Sequence, residues 1–240
     1  MKKTFVTLSI LAFFAACSTP TVSTDDYNTD IDYGSLTDTR DGHVYRTVEI
    51  GEQTWMAQNL KFDPGQGGSG DAKYDWSWCF QNDPEKCEVY GRFYTWAAAL
   101  DTIALYDDGN GVDCGNGKTC KLPEKVQGVC PDGWHLPTKD EWETLFSAVG
   151  GRDIAGKVLR SPTGWDKDEN GEDDVGFCAL PTGTGNGDRF LNSGNRADFW
   201  VATEHLENRG WNVIMHYFNE KAGFGEAYKP AGLPVRCVKD

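Results

Sequence analysis

VCPDGWHLPTKDEWETL, residues 129–145, contains the clearest helix start in the chain. Thr138 is an N-cap residue type and Glu141 stands three places on, so the two form a capping box that satisfies two otherwise orphaned amide groups. Beyond it, Trp142, Leu145, Phe146 and Val149 recur at helical spacing and share one face. Gly150 supplies the stop. The spacing predicts an amphipathic helix over 139–149.

Upstream, 44–50 has strand character, Gly51 and Glu52 form a turn, and 53–60 returns as a second strand. Residues 63–72 are a loop rich in Gly, Pro and Asp. The segment YGRFYTWAAAL, 90–100, predicts a second helix from its alanines and from Phe93, Trp96, Ala97 and Leu100. Downstream, 150–198 reads mostly as loop. Three strands follow at 199–203, 211–218 and 233–238, enough for a small antiparallel sheet. A hairpin, two main helices, long loops and then strands make an α+β pattern. No internal repeat interrupts it.

The 240 residues carry a formal charge of −14. Such an excess of acid excludes DNA, RNA and anionic lipid headgroups as main partners, since a phosphate surface needs a basic footprint. Residues 1–16 read as an export signal: Lys2 and Lys3, a short apolar run from Phe5 to Phe14, then Ala15 and Ala16 before Cys17. The run is too short to span a bilayer comfortably. It resembles the bacterial lipoprotein signal, in which cleavage precedes the cysteine and lipid is joined to it. Ser18 matches the outer-membrane sorting class. Outer-membrane lipid, reached through Cys17, is therefore the first expected partner. Residues 17–40 are rich in Ser, Thr and Asp and read as a flexible tether, with a single folded domain over 41–240.

Lipidation of Cys17 leaves seven of the eight cysteines to the domain. Seven cannot all pair within one chain. Cys79 with Cys87, and Cys114 with Cys120, are close enough to close small loops. No CxxC occurs, and an exported setting favours bridges over zinc thiolates.

DKDENGEDD, 166–174, begins like an oxygen-ligand calcium loop, with Asp166, Asp168 and Asn170 alternating before Gly171. Position twelve is Phe177, so the pattern breaks there. Asp173 or Asp174 is left to complete a looser calcium shell. A weaker candidate holds Asp107, Asp108, Asn110 and Asp113. The four histidines, His43, His135, His205 and His216, read as structural or edge residues, and no serine-nucleophile motif is present. Of nine tryptophans, Trp55, Trp96, Trp134, Trp142 and Trp200 have core placement. Trp76 and Trp78, with Tyr74, read as an exposed platform for a sugar ring, and Trp165 beside the acidic loop is next.

Six fragments carry a family resemblance: IGEQTWMAQNL (50–60), YGRFYTWAAAL, the opening stretch, DDVGFCALPTG (173–183), ADFWVATE (197–204) and PVRCVKD (234–240). Together they resemble the Fibrobacter succinogenes major paralogous domain, a family of exported and often lipid-anchored bacterial proteins. GWHLPTKDEW is similar to a turn and helix of the formylglycine-generating, sulfatase-modifying domain, itself related to the C-type lectin fold. The resemblance implies a C-type-lectin-like α+β domain without an assigned activity. It implies a long bridge from Cys130 to Cys237, which leaves Cys178 as the odd thiol, either buried or open to swapped or intermolecular pairing. The reactive cysteine pair of the formylglycine-generating enzyme has no counterpart, since only Cys237 lies near the end. The sugar-site tripeptides EPN, QPD and WND are also missing. A fibre-degrading habitat makes plant-wall glycan the implied ligand, with an envelope protein as the other. The leading expectation is a lipid-anchored, noncatalytic surface module. An enzyme on the sulfatase-modifying-like fold, an unrecognised carbohydrate hydrolase and a structural envelope protein are the alternatives. Arg236 is expected to anchor the terminal strand.

Overall fold

The computed structural model describes residues 27–65, 76–101, 114–187 and 189–240. Along the chain run β1 (Gly34–Thr37), β2 (Val44–Ile50), β3 (Gln53–Met56), β4 (Ser77–Cys79), α1 (Pro84–Tyr90), β5 (Arg92–Tyr94), α2 (Trp96–Ala99) and β6 (Trp134–His135). Then come α3 (Lys139–Ala148), α4 (Arg152–Leu159), β7 (Thr184–Asn186), β8 (Arg189–Leu191), β9 (Arg196–Leu206), β10 (Arg209–His216), β11 (Ala222–Tyr228) and β12 (Val238–Lys239). The fold is mixed α+β with antiparallel sheets. One sheet has the order β1-β2-β3-β12-β6 and another the order β11-β10-β9; β4-β5 and β7-β8 are two-stranded sheets, the second a hairpin. No helix among the described residues is long and apolar enough to cross a membrane.

The hairpin of β2 and β3 forms where expected, pairing Val48 with Trp55. Val238 pairs with Trp55 on one side and His135 on the other, so the last strand closes the sheet between distant segments. Helix α3 carries the expected capping box: the Thr138 side chain accepts from the Glu141 amide, and Glu141 accepts from the Thr138 amide at 2.8 Å. Its apolar face buries Trp142, Leu145 and Phe146. Trp142 meets Trp55 at 4.8 Å and Phe199 at 5.6 Å between ring centroids. A second cluster gathers Tyr45, Tyr94, Trp96 and Trp200, with the Trp200 indole N–H donating to the Tyr94 carbonyl at 2.6 Å.

Four helices are present among the described residues, where two were expected. The segment 90–100 is not one helix. Gly91 turns the chain at φ 70°, where a Cβ would collide with Asn59, and β5 precedes the short helix α2. Phe93 and Tyr94 are consecutive and both fully buried, which a strand covered on two faces accomplishes and an amphipathic helix does not. Helix α4 lies inside the expected long loop. Its Gly156 lets the helix press against the Lys221 carbonyl, and that glycine, with Gly150 and Gly151 before it, masks the helical pattern. β11 was missed for the same reason, since Gly223 and Gly225 interrupt it. The strand expected over 233–238 shrinks to β12.

The tether boundary also moves. β1 pairs with β2 in register from Gly34↔Thr47 to Thr37↔Val44, and Asp38 is fully buried, accepting from the Arg40 side chain at 2.9 Å. The folded part therefore begins well before Asp41. β1 is polar and mostly exposed, so it is held by backbone pairing, which composition does not register.

Three bridges form: Cys79–Cys87, Cys114–Cys120 and Cys130–Cys237. Cys178 is buried and lies outside them.

Candidate functional site

The β7–β8 hairpin and the adjoining ends of β10 and β11 enclose a cleft of about 430 Å³. The hairpin is folded tightly: Gly183 has φ 66°, and a Cβ there would collide with the Leu191 carbonyl. Gly185 and Gly232 exchange backbone hydrogen bonds of 2.8 and 2.6 Å, joining the hairpin to the turn that follows β11. Beneath this seam lie Trp78 and Phe93, close enough that a Cβ on Gly232 would meet both rings. Phe190 points inward and packs on Phe80 at 5.0 Å and Phe93 at 5.3 Å. Side chains alternate along a strand, so Arg189 and Leu191 stand on the opposite face and line the cleft.

The facing wall comes from strand register. Arg209 and Tyr228 are directly opposite on β10 and β11. The Arg209 guanidinium lies over the Tyr228 ring at 4.4 Å and donates to its hydroxyl at 3.0 Å. It also donates to Glu226 at 3.3 Å, and the other Glu226 oxygen pairs with His205 Nε2 at 2.8 Å. Tyr228 remains 56% exposed, so one face of the ring is backed by a cation and the ring is still open to solvent. Deeper in, Arg196 Nε donates to Asp198 at 2.6 Å, and Asn212 donates to the other oxygen at 2.7 Å. Burial pushes the Asp198 carboxyl up to about 6 against the opposing pull of Arg196 and Asn212. Thr184 and Asn186 complete the polar lining.

Several expected site residues lie elsewhere. Trp76, Trp78 and Trp165 are buried, the last only 2% exposed, and do not form an exposed platform. Trp78 sits in β4 under the hairpin seam, so it supports the cleft from below. The Trp165 indole N–H donates to Ser161 at 3.0 Å, and Arg160 covers its ring at 4.9 Å. In a domain with few long elements, loop aromatics are drawn into the core because little else supplies apolar area. Tyr74 lies outside the described residues, as do Cys17 and the Asp107, Asp108, Asn110, Asp113 segment.

The acidic loop does not gather its oxygens. Asp166 accepts from the Asn195 amide at 2.6 Å, and Asn170 accepts from the Trp165 backbone at 3.2 Å. Asp173 is buried and accepts from the Cys178 amide at 2.6 Å, while Asp168 and Asp174 point to solvent. Burial raises the Asp173 carboxyl to about 7. Among the described residues the grouping suited to a metal is Cys114, Cys120 and Glu204, and its two sulfurs are spent in a disulfide. The buried Lys229 holds that loop instead, donating to the Lys118 carbonyl at 2.6 Å and pairing with Glu204 at 3.0 Å.

His135 is buried between Glu141 Oε1 at 2.6 Å and Asp240 Oδ1 at 2.7 Å, tying the cap of α3 to the chain end. Burial opposes its charged form, but the two carboxylates outweigh it and hold the imidazole above its ordinary pKa. Arg236 anchors the terminal segment as expected, although through neutral acceptors: Asn59 Oδ1 at 2.7 Å and the carbonyls of Met56, Phe177 and Cys178. Sequence reasoning missed Arg189, Arg209, Glu226 and Tyr228. Tyr228 follows a run interrupted by Gly223 and Gly225, and no motif in the sequence marks these four residues.

Neither the curated proteins nor the solved structures contain a match to the chain. A family model described as the Fibrobacter succinogenes major domain matches residues 48–239, so the chain belongs to the Fibrobacter succinogenes major domain family.

Proposed function

We propose that this chain is a lipid-tethered module of the bacterial envelope, lectin-like in architecture, that binds a polysaccharide or envelope partner in the cleft without transforming it. The observation that carries the reading is Tyr228, an exposed ring held rigid by Arg209 among hydrogen-bonding side chains. A sugar offers an apolar ring face and a polar edge, and such a site meets both. Glycoside hydrolysis ordinarily needs two carboxyl groups across the bond. Glu226 is the one carboxylate in the lining, and His205 and Arg209 already engage it. The reading does not call on calcium, since Asp166, Asn170 and Asp173 each serve a different hydrogen bond.

The anchor rests on the signal-like start and Cys17. Expressed in a bacterium, the Cys17→Ser chain is expected in the soluble fraction, with the parent in membranes. Binding is tested by retention of the full chain on a broad panel of immobilised glycans and envelope proteins. Retention that Tyr228→Ala weakens about tenfold or more supports the reading. Absence of retention across the panel, or retention indifferent to Tyr228, sinks it.

A further inference from the structure

We infer that the cleft selects an anionic sugar, a pyranose carrying a carboxylate or a sulfate, with the ring on Tyr228 and the charge on Arg189. The inference rests on the reading of the cleft as a binding site and names the class of its ligand.

The chain carries −14, yet among the described residues three arginines line this one cleft against a single glutamate. Two of the three are already committed. Arg209 serves Glu226 and Tyr228, and Arg196 serves the buried Asp198. Arg189 is exposed on β8 and has no acidic partner among the described residues. Its placement is fixed from behind: Phe190 is clamped between Phe80 and Phe93, which turns Arg189 and its strand neighbour Leu191 into the cleft. Leu191 is 60% exposed, an apolar surface beside the cation.

In a strongly acidic protein an arginine inside a concavity with no acidic partner among the described residues makes a local positive focus, which attracts anions. The guanidinium fork matches carboxylate and sulfate oxygens two at a time. Tyr228 and Leu191 supply the apolar contacts for the ring, while Thr184 and Asn186 offer hydrogen bonds to hydroxyls. A neutral sugar would leave the Arg189 charge unused. An anionic one uses that charge, while Glu226 stays paired with Arg209 and His205.

The test titrates the full chain with two matched pairs, dextran against dextran sulfate and methyl-esterified against free polygalacturonate. The charged member is expected to bind about tenfold or more tightly in at least one pair. The pair with the larger ratio tells whether sulfate or carboxylate is the preferred charge. Arg189→Gln should bring that ratio close to one, with the melting temperature held as a check of folding. Arg189→Lys, which keeps the charge and loses the fork, should give an intermediate ratio. Equal affinity within both pairs overturns the inference and leaves the cleft as a site for neutral sugars. A ratio unchanged in Arg189→Gln overturns it as well. If none of the four polymers binds, the inference fails, and the broad panel decides the underlying reading separately.

Discussion

Trp142 on α3 and Tyr228 on the cleft wall are both large aromatics, and their surroundings are opposite in kind. Trp142 is fully buried, with Trp55, Phe146, Phe177 and Phe199 around it. Tyr228 has an arginine on its ring and solvent beside it. The neighbours of a ring, and not its presence in a loop or element, separate a buried packing residue from an exposed one. Trp76, Trp78 and Trp165 make the same point from the other side, because loop position suggested exposure and the fold buried them.

The largest effect should come from the packed region. Trp142→Ala is expected to cost about 3–5 kcal/mol of stability, measured by chemical denaturation. A loss below about 1 kcal/mol would show that the cluster around α3 is not the core described above. Next is the bridge between Cys130 and Cys237, which spans 107 residues. Replacing both by Ser should lower stability by about 4 kcal/mol, more than the same change at Cys114 and Cys120, whose loop spans only 6. Equal losses at the two sites would break that ranking.

A smaller effect is set by pH. Asp173 in the folded state titrates at about 7, above the ordinary carboxylate value of 3.8. The folded protein therefore holds a proton that the unfolded chain has released. The stabilisation is complete below about pH 4 and is lost as pH rises toward 7, at roughly 1 kcal/mol per pH unit. Asp198, raised to about 6, acts with the same sign. Asp173→Asn keeps an acceptor for the Cys178 amide and cannot ionise, so denaturation curves between pH 4.5 and 7.5 should show a shallower slope than the parent. An identical slope would place the titration elsewhere. The smallest stability effect belongs to the cleft. Tyr228→Ala should change stability by no more than about 0.5 kcal/mol, which is the contrast with Trp142 in its sharpest form. A large destabilisation there would make Tyr228 a packing residue.

Much of the framework was legible. The capping box of Thr138 and Glu141 is a local device, decided within four residues, and it appears in the structure as read. The β2–β3 hairpin and the short Cys79–Cys87 and Cys114–Cys120 bridges are likewise local. The long bridge came with the family resemblance, because spacing alone does not choose a partner for Cys130. Elements with glycine inside them were illegible: α4 and β11 depend on a close approach of backbones that only their neighbours explain. The cleft was illegible for a further reason. Its described residues come from 184–186, 189, 191, 196, 209, 226–228, 230 and 231, and none belongs to a motif.

By itself the sequence determined the α+β class, the start of the main helix and the excess of acidic groups. All of these follow from periodicity, composition or contacts within a few residues. Only the tertiary structure decided which tryptophans are hidden, that the acidic loop scatters its oxygens, and that Arg209 stands across from Tyr228. Those outcomes depend on strand register and on competition for a limited interior. Both are settled between segments far apart in the chain, where local pattern carries no information.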